Sequence, residues 1–134
     1  MDNKRKELFK YVGVLDSKIC EKWGIEEHKN KPIIVYESRK YHVADRHLSE
    51  FGSQEEINRV YNMLDNIIKK PDYVFYNSAT SGLEYYKNIS YDICAAVEIK
   101  PGRVLKVKSW YPANAGKIQN RKKKEQEILG QSFE

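Results

Sequence analysis

The chain has 134 residues, 40% of them hydrophobic, with 24 Lys+Arg against 19 Asp+Glu and a formal net charge of +5. That length fits one domain, long enough to bury a core without disulfide or metal staples, and the apolar fraction argues against wholesale disorder. No apolar run follows the charged start Met1-Asp2-Asn3-Lys4-Arg5-Lys6, so neither a signal peptide nor a transmembrane span is predicted, and membranes are not an expected partner.

The two cysteines, Cys20 and Cys94, lie far apart with no CxxC pair, which points away from structural zinc and towards a reducing, cytoplasmic setting. Ten tyrosines and a basic balance favour polyanionic partners, since a tyrosine ring stacks a base while its hydroxyl stays wetted. The plainer role for any one tyrosine is a half-buried place in a sheet.

In chain order, residues 3–10 read as a short basic helix or arm and 12–15 as a short strand. Asp16 or Ser17 then caps a helix with Ile19, Cys20 and Trp23 on one face, stopped by Gly24. Residues 26–31 form a polar loop that leaves His28 exposed and closes at Pro32. The β-branched run Ile33-Ile34-Val35-Tyr36 is a strand. Residues 41–51, preceded by Ser38, read as a helix ending at Gly52. Ser53-Gln54-Glu55-Glu56 has the form of a capping box, and Ile57, Val60, Tyr61, Leu64, Ile67 and Ile68 recur at helical spacing. Together these predict one continuous helix over 54–69, ended by Lys69-Lys70-Pro71.

The pattern then changes to strands over 73–76, 83–89, 91–99 and 103–110, with turns at 79–82 and at Pro101-Gly102. Short turns between consecutive strands imply an antiparallel meander. From Ala113 the chain is polar and lysine-rich. The prediction is a single α+β domain over 1–134, with N-terminal helices packed on a four-stranded antiparallel sheet, a core about 11–112, and a basic C-terminal helix or arm over 113–134.

Three segments hold residues able to do chemistry. The first, residues 38–47, carries His42 and His47 with Arg39, Lys40 and Arg46. Imidazole gives or takes a proton near neutral pH. Five residues turn an ideal helix by about 140° past a full turn, so the two histidines share a face only if His42 precedes the helix. On spacing alone the favoured reading is the plainer one, with His47 packed on the sheet and His42 in solvent. The second is Lys87, in phase with Leu83, Tyr85 and Ile89 on a strand, where it either meets an anion in a cleft or lies at a sheet edge. The third, Lys108-Ser109-Trp110-Tyr111, brings a cation, a hydroxyl and two rings together. Arg121 and Lys123, in the run 121–124, add diffuse attraction to phosphate, although such runs usually form a solvated surface. Without an HxxxH pair or an acidic triad, no metal ligand set is predicted, and no other cofactor is.

The order of short motifs supplies a further clue: Val12-Gly13-x-Leu15, the strand at Ile33, His42-Val43 with Arg46-His47, Lys70-Pro71-Asp72-Tyr73-Val74, Leu83-x-Tyr85-x-Lys87 and Lys108-Ser109-x-Tyr111-Pro112. Over roughly residues 11–112 the sequence resembles the phage-associated barnase/EndoU/colicin/RelE-like nuclease families. The resemblance implies a BECR-type fold and metal-independent endoribonuclease activity at a cleft beside the sheet, with tRNA or another RNA as substrate. It places His42 and His47 on the family's histidine motif, Lys87 on its strand lysine, and Ser109 and Tyr111 on its last-strand hydroxyls. In this reading His47 is the first acid/base candidate and His42 the second. Arg46 and Lys87 supply charge, Ser109 holds phosphate, and Tyr111 or Trp110 stacks a base. Arg39, Lys108, Arg121 and Lys123 complete the RNA contacts. A toxin held by an antitoxin or immunity protein, or an inactive RNA- or protein-binding module of the same fold, is the alternative.

Overall fold

A computed structural model describes residues 7–131. The first strand, β1 (Phe9–Val14), takes Phe9 and Lys10 out of the helix or arm expected over 3–10; residues 7 and 8 are not helical either, and residues 3–6 lie outside the described residues. Helix α1 (Ser17–Trp23) begins where Asp16 accepts a hydrogen bond from the Lys18 amide at 2.9 Å and stops at Gly24, as its sequence predicts. A single 3₁₀ turn, Glu26–His28, follows. It buries His28, contrary to expectation, because the Lys31 ammonium donates to His28 Nδ1 at 2.8 Å and folds the loop inward.

Strand β2 (Pro32–Tyr36) leads into α2 (Arg39–Phe51), which starts two residues before its predicted boundary. The expected single helix over 54–69 is two helices, α3 (Gln54–Tyr61) and α4 (Leu64–Lys69). At the break Met63 N–H bonds Val60 O, one residue short of the α-helical partner, and the chain turns. The bend lets α3 pack on α2 while α4 packs on β1. Gly13, at φ +156°, permits that second contact, since a Cβ there would lie 3.0 Å from Ile68 Cγ2. The capping box is half formed. Ser53 Oγ accepts from Glu56 N–H at 3.1 Å, whereas the Glu56 carboxylate turns outward to Arg59 and Tyr91.

Strands β3 (Tyr73–Asn77), β4 (Gly82–Asn88), β5 (Asp92–Glu98) and β6 (Leu105–Pro112) form the predicted meander. The sheet is nevertheless six-stranded and mixed, in the order β1-β2-β6-β5-β4-β3, and not a four-stranded antiparallel one. β2 joins β6 in parallel through Ile33 with Leu105 and Ile34 with Lys106, and β1 pairs antiparallel outside β2. Beyond Lys106, α2 packs along the remainder of β6. The C-terminal segment is a helix, α5 (Ala115–Gln131). No helix among the described residues is long and apolar enough to cross a membrane.

Strand alternation separates two faces. The inner face carries Leu83, Tyr85, Ile93, Ala95, Val97, Val107 and Trp110 into the main core with Ile57, Val60, Leu64 and Ile67 of α3 and α4. The opposite face carries Tyr86 and Cys94, which pack with Phe75 and with Ile118 of α5 in a second, smaller core. Covered by the main core on one face and, at Cys94, by α5 on the other, β5 is the continuous apolar run Ile93-Cys94-Ala95-Ala96-Val97, open only where Ala96 is half-buried.

Candidate functional site

The face opposite the main core is only partly covered, and a cleft of about 560 Å³ opens on it between α2 and the middle of the sheet. Its α2 wall presents Arg39, His42, Arg46 and His47. At about 100° per residue the two arginines lie near the middle of this arc and the histidines on its two flanks. Both histidines therefore line one cleft from within the helix, despite the angle between them.

The β6 wall presents Lys108, Ser109 and Tyr111. A bulge sets this geometry. Ala96 pairs with Ser109 but Val97 pairs with Val107, so Lys108 is an extra residue in the strand. The slip puts Ser109 and Tyr111 on the cleft face while Val107 and Trp110 stay in the core. The readable trace of this in the sequence is the apolar spacing Leu105, Val107, Trp110, which changes phase after Val107.

His47 is the best supported group in the cleft. Its Nδ1 lies 2.5 Å from Glu50 Oε2, one turn along α2, and its ring stacks on Tyr111 with centroids 4.9 Å apart. A carboxylate only accepts hydrogen bonds, so the neutral imidazole carries its proton on Nδ1 and keeps a lone pair on Nε2. Tyr111 is in turn held from below, where its phenol oxygen accepts from Lys117 Nζ at 3.0 Å and from Cys94 Sγ at 3.4 Å. Burial raises the Tyr111 phenol well above its ordinary range, and burial likewise pushes the Cys94 thiol up to about 11. Both stay protonated and serve as packing and hydrogen-bonding groups. Sequence reasoning missed Glu50 and Lys117, although the i, i+3 spacing of His47 and Glu50 was a usable signal.

The cleft contains carboxylates as well. Glu84 on its floor is bonded by Arg121 of α5 at 2.7 and 3.1 Å, and Glu98 lies 3.2 Å from Lys100. With these two paired, Arg39, Arg46 and Lys108 outnumber the remaining acid, Asp45, and the cleft favours anions.

Several expected site residues lie elsewhere. Lys87 is on the inner face, in register with Ile93, and its ammonium donates to Lys70 O at 2.7 Å. It fastens β4 to the end of α4 and does not converge with His47 and Ser109. Trp110 is fully buried, with Nε1 donating to Ile57 O at 3.3 Å and its ring against Tyr61, so it cannot stack a base. Arg121 is committed to Glu84 and is no diffuse phosphate contact. Lys123 is exposed on α5 and does not line the cleft. Among the described residues no three His, Cys, Asp or Glu side chains are grouped to hold a metal ion.

No curated protein and no solved structure matches the chain. The family model for phage-Barnase-EndoU-ColicinE5/D-RelE like nucleases matches residues 10–120, from β1 into α5, and spans both walls of the cleft. The chain belongs to this nuclease family.

Proposed function

We propose that the protein is a metal-independent endoribonuclease that cleaves by transfer of the phosphoryl group to the neighbouring 2′-oxygen. The observation that supports this reading most strongly is the meeting, in one anion-favouring cleft, of the His47–Glu50 pair on α2 with Lys108 and Ser109 on β6. His47 Nε2 takes the 2′-OH proton, the 2′-oxygen attacks phosphorus, and the P–O5′ bond breaks. His42, on the other flank of α2, protonates the departing 5′-oxygen. Arg39, Arg46 and Lys108 stabilise the charge that grows on the phosphorane oxygens, and Ser109 Oγ donates a hydrogen bond to one of them. Tyr111 orients the imidazole by stacking beneath it. Lys123 contributes distant attraction to the RNA backbone.

The decisive experiment is incubation of the protein with total RNA and with tRNA, in buffer containing EDTA. The expected products end in 2′,3′-cyclic phosphate, and a substrate with 2′-deoxyribose at the scissile position should bind but resist cleavage. His47→Ala should slow cleavage by about 10²-fold or more, as for any lost acid/base group. Equal cleavage of the 2′-deoxy substrate would refute the mechanism. Absence of cleavage from about pH 5 to 9, where imidazole changes charge, would leave an RNA- or protein-binding module of the same fold.

A further inference from the structure

The surface that floors the cleft continues beyond it. Phe9 and Tyr11 of β1 stand opposite Tyr36 and Ile34 of β2, Ile34 is abreast of Lys106 in β6, and Lys106 is abreast of Glu98 in β5. Side chains paired in this way share a face. Glu98 lines the cleft, so one strip runs from the cleft to the free edge of the sheet, three strand spacings or about 14 Å away.

Among the described residues, the β1 rings on this strip are largely exposed, and Tyr36 is half-buried. Phe9 is 59% and Tyr11 52% exposed, and Leu8 just before them is 69% exposed. Phe9 meets the Tyr36 ring edge-on at 5.8 Å. The Lys106 ammonium lies 5.3 Å from the centre of the Tyr36 ring, and Lys69 lies 5.9 Å from that of Tyr11. Glu7 and Glu37, which flank the two strands, are engaged by Ser38 and Lys40. An apolar edge alone would equally suit an added protein strand. Lysines placed over the rings, and continuity with an anion-favouring cleft, favour nucleic acid: bases stack on rings while ammonium groups meet the backbone.

We propose that Phe9, Tyr11 and Tyr36, with Lys69 and Lys106, form a platform for single-stranded RNA that holds the part of the substrate leading out of the cleft. The proposal rests on the ribonuclease reading of the cleft. It adds that recognition extends several nucleotides beyond the scissile phosphate and falls on unpaired RNA.

The test compares two single-stranded 2′-O-methyl RNAs, which lack the attacking hydroxyl, by fluorescence anisotropy. One has about three nucleotides and fills the cleft only; the other has about twelve and reaches the platform. The wild-type protein should bind the longer one more tightly. Phe9→Ala/Tyr11→Ala should weaken that binding by about five-fold or more while the short one binds as before. Lys69→Gln/Lys106→Gln, which leaves the rings in place, should lower the salt dependence of long-RNA binding. The proposal fails if wild type gains nothing from length, or if the aromatic variant holds the long RNA as tightly as wild type. It fails too if that variant changes only the oligomeric state in sedimentation, which would mark a protein interface. Cleavage of a short all-ribose substrate, followed in parallel, separates the two ideas. Length-dependent binding without any cleavage refutes the catalytic reading alone, and cleavage without length dependence refutes the platform alone.

Discussion

At the scale of single residues, the buried Glu84 depends on its partners. It is 5% exposed at the floor of the cleft, and Arg121, Tyr86 and Asn77 all donate to its two oxygens. Burial by itself raises its carboxyl, but these donors outweigh burial and hold it below the usual carboxylate range. Arg121→Ala would leave a buried carboxylate short of donors and should cost roughly 3 kcal/mol in urea unfolding. Glu56 gives a second test through pH. Hydrogen bonds from Arg59 and then Tyr91 lower its carboxyl to about 2, against about 4.3 in an unfolded chain. A depressed folded value contributes stability that is fully present above the unfolded value and is lost as pH falls through the folded one. Urea midpoints of wild type and Glu56→Gln should therefore differ most near about pH 7 and converge towards about pH 2. A gap independent of pH would mean that the ion pair with Arg59 does not stabilise the fold.

For the secondary elements, local signals were legible and distant pairings were not. The capping oxygen of Ser53, the stop of α1 at Gly24 and the meander β3 to β6 each follow from a few neighbouring residues. The parallel pairing of β2 with β6 joins residues some seventy positions apart, and nothing in either strand's own pattern announces its neighbour. The break after Tyr61 was hidden for a related reason, because the apolar spacing runs unbroken while the two halves serve different neighbours. In the candidate site, the cluster on α2 was readable as unusual chemistry, and Ser109 and Tyr111 join it as expected. Lys87 was misplaced because alternation fixes which residues share a face but not which face opens to solvent. Its position carries a clear expectation. Lys87→Met should leave RNA cleavage unchanged and cost about 1 kcal/mol of stability through the lost bond to Lys70 O. A specific loss of cleavage with unchanged stability would return Lys87 to the site.

For the whole molecule, the lysine-rich C-terminus is a closing element and not an arm. Its composition disguises this, since a helix anchored mainly by Ile118 shows no apolar stripe. Yet α5 reaches four other elements: Ile118 covers Tyr86 and Cys94, Arg121 meets Glu84, Lys122 donates to the Tyr73 hydroxyl at 2.9 Å, and Glu125 pairs with Lys22 of α1. Through Lys117 it also supports Tyr111, and Tyr111 supports His47. Burying Ile118 contributes about 1.5–3 kcal/mol, and stranding Glu84 costs roughly 3 kcal/mol more. The total approaches the lower end of the 5–15 kcal/mol that typically separates a folded domain from its unfolded chain. A chain ending at Asn114 should thus lose most of its cooperative urea transition and all of its cleavage. Lys117→Met separates the two contributions of α5. It keeps Ile118 and Arg121 in place, so the urea midpoint should stay close to wild type, while RNA cleavage falls as Tyr111 loses its hydrogen bond and the imidazole its fixed stacking partner. If the shortened chain unfolds and cleaves like the full one, α5 is an appendage and the site is complete without it.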